Sequence, residues 1–77
     1  MSTLFKILDG INSSDYADQT LLSTRDIESY ADACGETISE DDARRIQKAG
    51  LHWRDEQKNG NGEWSRMRHE AMSALED

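Results

Sequence analysis

One cysteine, two histidines and sixteen carboxylates are the side chains of this 77-residue chain that could carry out chemistry. A cysteine nucleophile needs a thiolate, and therefore positive charge close to its sulfur. Cys34 has Asp32 and Glu36 as its charged sequence neighbours. It also recurs at helical spacing with Ile27, Tyr30 and Ala31, which predicts a small packing thiol. His52 and His69 belong to different predicted helices. One cysteine and two histidines include no pair at zinc-ligand spacing, so no metal is expected and both histidines read as surface residues. Neither Asp9-Gly10-Ile11-Asn12 nor Glu40-Asp41-Asp42 has the alternating acids, central glycine and terminal Glu of a calcium loop. The Asn59-Gly60-Asn61-Gly62 run lacks the length and the Lys and Ser/Thr offsets of a phosphate cradle. No pair of carboxylates stands apart from a solvated face as general acid and base. The expectation is a protein that is not an enzyme and uses no cofactor.

Charge remains as the property with consequences. The acids face nine lysines and arginines, for a net charge of −7. The excess is uneven: residues 1–38 hold seven acids and two bases, while residues 39–77 hold nine acids and seven bases. Such a field repels nucleic acid and anionic membrane and attracts basic surfaces. The expected partner is a protein with a basic surface, with no direct nucleic-acid or membrane contact.

The elements that must position these charges are helices. Proline is absent and five glycines fall mostly at punctuation points. Ser2 or Thr3 can cap a first helix with Leu4, Phe5, Leu8 and Ile11 on one side, ending at Gly10 or Asn12. Residues 12–22 read as a short helix capped by Ser14 and running through Leu21, with Ala17 and Leu21 inward, and an irregular loop is nearly as good a reading. Ser23 followed by Asp26 imitates a capping box, and Gly35 suits the left-handed position after that helix. Ser39 is the strongest start signal. Glu40, Asp41 and Asp42 then fill the first turn, where the helix dipole favours negative charge. Ile38 and Ala43 form a hydrophobic staple, and Glu40–Arg44 and Asp41–Arg45 are acid-before-base pairs one turn apart. The inward stripe runs Ala43, Ile46, Gly50, Trp53. A close neighbour is expected at Gly50, with Tyr30 or Phe5 as the ring that approaches it. After residues 59–62 a last helix presents Trp64, Met67, Ala71, Ala74 and Leu75, with Met67 near Trp53. The fold class is all-α: a small bundle of three to four helices, in one domain over 1–77, with a C-terminal antiparallel αα-hairpin.

A single cysteine excludes an internal disulfide framework and suits a reducing cytosol, so a cytoplasmic location is expected. Asp9 and Gly10 interrupt the apolar N-terminus before a secretory core, and no stretch nears the ~20 apolar residues of a membrane span.

Two further patterns bear on binding. Ala31 and Gly35 before a second capped helix resemble a helix-turn-helix, with 39–53 as the reading helix. Its first turn, however, would bring Glu40, Asp41 and Asp42 against phosphates. Leu51 lies about 140° from Ile46 on the helical wheel, off the main seam, as a cover for residues 14–22 or as a contact for another chain. The resulting expectation is an acidic inhibitor that occupies a basic, nucleic-acid-binding surface, its contact field formed by Asp26, Glu28, Asp32, Glu36, Glu40, Asp41, Asp42 and Leu51. The strategy is similar to that of phage anti-CRISPR and anti-restriction inhibitors that mimic DNA, although no motif marks kinship. The alternative is a homodimeric or docking module that binds through an apolar face at Leu51, Trp64 or Met72.

Overall fold

Residues 2–60 and 63–75 are described by a computed structural model of the chain. They form five helices: α1 (Thr3–Asn12), α2 (Ala17–Leu21), α3 (Thr24–Ala33), α4 (Glu40–Asn59) and α5 (Trp64–Ala74). No strand occurs among the described residues. Five helices replace the expected three to four. Residues Asn61 and Gly62, half of the predicted Asn-Gly connection, lie outside the described residues.

Local chemistry sets most of the boundaries. The Ser2 hydroxyl caps α1 by accepting from the Phe5 amide at 3.1 Å, and Ser39 caps α4 by accepting from the Asp42 amide at 3.1 Å. Gly35 takes φ +84° after α3. There the Gly35 amide donates to the Asp32 carbonyl and the Glu36 amide to the Ala31 carbonyl, each at 2.9 Å. Those two bonds are the Schellman closure, which glycine permits without a Cβ penalty. Gly60 ends α4 in the same left-handed region, at φ +65°. Ser23 precedes α3 in an extended conformation but makes no side-chain cap bond, so the predicted capping box is not formed.

A helix as short as α2 cannot hold itself in water, and the sequence signal for it was correspondingly weak. Its cap position is Tyr16, not Ser14, and the Ser14 hydroxyl donates instead to the Ile11 carbonyl at 2.7 Å. Tertiary bonds from α4 secure it. Gln47 Nε2 donates to the Leu21 carbonyl at 3.0 Å. Arg54 Nε and Lys58 Nζ meet the two oxygens of Asp18 at 3.0 and 3.2 Å. Asn12 Oδ1, at the end of α1, accepts from both Arg54 and Gln57 at 3.3 Å.

All five helices contribute to one buried cluster, from Leu4, Phe5, Leu8 and Ile11 through Ala17, Leu21, Ile27, Ala31 and Ile46 to Trp53, Met67, Ala71 and Leu75. The Cα radius of gyration is 11.4 Å, which matches the value of about 11.5 Å for a compact chain of this length. Phe5 and Trp53 stack with ring centroids 6.0 Å apart, and Trp64 tilts over Trp53 at 6.5 Å. The Arg68 guanidinium covers this group, 4.9 Å from the Phe5 ring and 5.9 Å from Trp64. Such cation–ring contacts keep the charge in water while the planar group shields apolar surface.

Two glycines inside helices mark close approaches. A Cβ at Gly50 would lie 2.6 Å from Leu21 Cδ2 and 2.8 Å from Leu8 Cδ1. The neighbours are therefore leucines of α1 and α2, not the Tyr30 or Phe5 ring expected. Tyr30 instead approaches Gly10, where a Cβ would stand 2.6 Å from its hydroxyl oxygen. Each missing Cβ lets a helix seat against its neighbour, which offsets the ~1 kcal/mol that a mid-helix glycine costs.

Candidate acidic interface

The outward side of α3 carries the first group of predicted contact residues. Ile27 and Ala31 are buried, so the helix turns Asp26 and Asp32 to solvent and leaves Glu28 half-exposed. At 100° per residue Glu28 and Asp32 fall about 40° apart on one flank, whereas Asp26 lies on the other, about 160° from Glu28. Glu36 follows in the exposed α3–α4 connection. Among the described residues no cation stands within 4.0 Å of Asp26, Glu28, Asp32 or Glu36.

The first turn of α4 holds the second group, and there the carboxylates are partnered. Arg44 contacts Glu40 at 2.8 Å and reaches Asp41 at 3.9 Å, while Arg45 meets Asp42 at 3.6 Å. Glu36 and Asp42 come together in one open recess beside the start of α1, with Ser2, Thr3 and Ile38 among its walls. The recess thus brings the start of α1 against the α3–α4 connection and the α4 turn. Leu51 does not join this field. It is 42% exposed and lies in a shallow depression between α2 and α4, next to Leu22, which is 73% exposed. Asp18, Arg54, Asp55 and Lys58 complete that depression. Trp64 is also exposed, while Met72 is half-buried against the core.

Cys34 departs from its predicted packing role. α3 ends one residue earlier, and Cys34 is the exposed residue on which the chain turns away. It opens on a recess lined by Thr3, Lys6, Ile7 and Glu36, without a histidine. Burial raises the pKa of the Tyr30 phenol above its ordinary value, and contact with Cys34 adds to the shift. Asp18 moves the other way, held below its ordinary value by the Arg54 hydrogen bond and then by Lys58.

Among the described residues one group of metal-competent side chains does converge: His52, Glu56 and Glu70, with donor atoms all within 4.8 Å of one another. The i,i+4 spacing of His52 and Glu56 was present in the sequence; Glu70 is brought to them only by the packing of α5 on α4. No helix among the described residues is long and apolar enough to cross a membrane. No protein-family model, curated protein or solved structure matches this chain.

Proposed function

We propose that this chain is a non-enzymatic binding protein that occupies the basic, nucleic-acid-gripping surface of a partner, its carboxylates standing in for backbone phosphates. The supporting observation is that Asp26, Glu28, Asp32 and Glu36 have no cation partner among the described residues. Apart from the first-turn position of Asp26, which the helix dipole favours, folding makes no use of their charge. Asp32 even stands in the last turn of α3, which has no basic residue, where the helix dipole disfavours an anion. Charges kept at a cost to stability are a mark of surfaces selected for binding. A basic partner would be steered to them at long range, and the attraction would weaken as salt rises.

In this reading α4 and α5 serve as scaffold and form the antiparallel hairpin that their short connection favours. The side-chain neighbours support that orientation: Trp53 meets Trp64, His52 meets Glu70, and Arg45 shares a recess with Ala74. Residue numbers rise along α5 as they fall along α4.

A second reading rests on a different observation, the exposure of Leu22 and Leu51 in one depression. Two neighbouring leucines ringed by charge are the form of a small apolar contact with a second copy or a larger assembly.

The test is capture of partners from a proteome by the immobilised protein at low and high salt, followed by affinity measurement on the partner recovered. Reversal of α3 charge in Glu28→Lys/Asp32→Lys should abolish binding. The charge-matched control Asp15→Lys/Glu63→Lys should retain most of it. Equal losses in both variants, or binding insensitive to salt, would remove the acidic-surface reading. Loss on Leu22→Ser/Leu51→Ser alone would establish the apolar one.

A further inference from the structure

His52 and Glu56 sit one turn apart on α4, and the His52 Nε2 to Glu56 Oε1 distance is 2.7 Å. Glu70 of α5 brings a second carboxylate to the same point, with all three donor atoms inside 4.8 Å. Two like charges held this close repel unless a cation lies between them. Arg66 supplies little of that: it reaches Glu70 at 3.8 Å from an exposed position, and no contact of Arg66 with Glu56 is found. Glu56, with a side chain 23% exposed, is partly withdrawn from water and has His52 as its only short-range partner among the described residues. Its 2.7 Å contact with Nε2 needs a shared proton, which a metal ion can replace.

The geometry points to a divalent transition-metal site at His52, Glu56 and Glu70, with Zn²⁺ the best fit. Imidazole nitrogen and carboxylate oxygen are both zinc donors, and a pair of ligands at i,i+4 on one helix face is a known way to begin such a site. Small side-chain rotations suffice to bring the three donors to ligand distance, because two of them are exposed. The imidazole sets the site against Mg²⁺ and Ca²⁺, which take oxygen ligands. Water completes the coordination.

The site would act as a clamp between α4 and α5. α5 has weak local support: its N-cap residue Glu63 makes no side-chain cap bond, its first turn holds no acid and its last turn no base. A helix without these devices depends on its docking for order. A bound ion tied to both helices adds its binding free energy to that docking and makes the order of α5 depend on metal supply. The clamp lies on helices other than α3 and stands or falls independently of the acidic-surface reading.

Titration of the full-length protein with ZnCl₂ by calorimetry tests the site, with hydrogen exchange of the α5 amides as a second readout. Wild type should bind one equivalent of Zn²⁺, with slower exchange in α5 and no response to Mg²⁺. His52→Ala and Glu70→Gln should each weaken binding by roughly tenfold or more and cancel the exchange protection. Cys34→Ser and His69→Ala should bind as wild type does. Helicity by circular dichroism shows that each variant is folded. An absence of zinc binding by wild type would overturn the assignment. Affinity unchanged in Glu70→Gln would do the same, as would a loss that follows Cys34 or His69 instead.

Discussion

Helix α3 and the first turn of α4 each carry three carboxylates, yet the two stretches differ in electrical state. In α4, Glu40, Asp41 and Asp42 crowd the N-terminus, where the dipole is positive, and Arg44 and Arg45 follow within one turn. In α3 only Asp26 enjoys the dipole. Glu28 and Asp32 follow with no basic residue in the last turn, and Arg25 of the same helix forms no ion pair among the described residues. The same residue type therefore contributes to stability in one helix and opposes it in the other. Net charge alone does not distinguish the two stretches; the presence or absence of cation partners does.

The contrast can be broken at the helix starts, where the expected difference is largest. Ser39→Ala removes a formed cap bond and should cost about 1 kcal/mol of unfolding free energy, whereas Ser23→Ala removes none and should cost a few tenths at most. Denaturant titration of both variants compares them directly. Equal losses would mean that α3 is capped after all and is as well supported as α4.

A smaller effect of opposite sign is expected at the end of α3. Asp32→Asn relieves an anion at the negative pole of the dipole and should stabilise the protein by roughly 0.3–1 kcal/mol at low ionic strength. The corresponding change in α4, Asp42→Asn, should destabilise by a similar amount. Thermal melts at two salt concentrations sharpen the point, because both effects should shrink as screening increases. A loss of stability in Asp32→Asn would show that this carboxylate has a folding role.

The smallest effect concerns Asp18, a carboxylate of α2 that does have partners. Its folded pKa is lowered from 3.8 by Arg54 and Lys58. A lowered folded value means that its contribution is complete above the unfolded pKa and disappears as pH falls through the folded one. Wild type should therefore lose melting temperature more steeply than Asp18→Asn as the pH is taken below 3.8. Parallel acid limbs would indicate that the α2–α4 ion pairs are screened to nothing at this exposed site.

Much of the fold was legible because its signals are local. The Ser2 and Ser39 caps, the left-handed Gly35 and the acid-rich first turn of α4 are all consequences of residues within one or two turns. The arginine pairing was legible in part: Glu40–Arg44 forms as expected, while Arg44 also reaches Asp41 and Arg45 meets Asp42. Cys34 was misplaced because periodicity continues past the end of a helix on paper but not in space. The Schellman closure turns the chain outward just where the stripe would have buried the thiol. The partner of Gly50 was misassigned for a related reason. A missing Cβ announces a close approach but carries no information about what approaches.

Composition and spacing by themselves determined an all-helical chain, the ends of its longer helices and a negative surface, since each depends on short-range hydrogen bonds, dipoles and periodic burial. Tertiary structure alone decided that α2 is helical, that Asp18 meets Arg54 and Lys58, that Leu51 sits beside Leu22 rather than with the acids, and that Glu70 joins His52 and Glu56. Those outcomes depend on which helix faces lie against each other. That is settled by the collective burial of side chains far apart in the chain, and no local pattern encodes it.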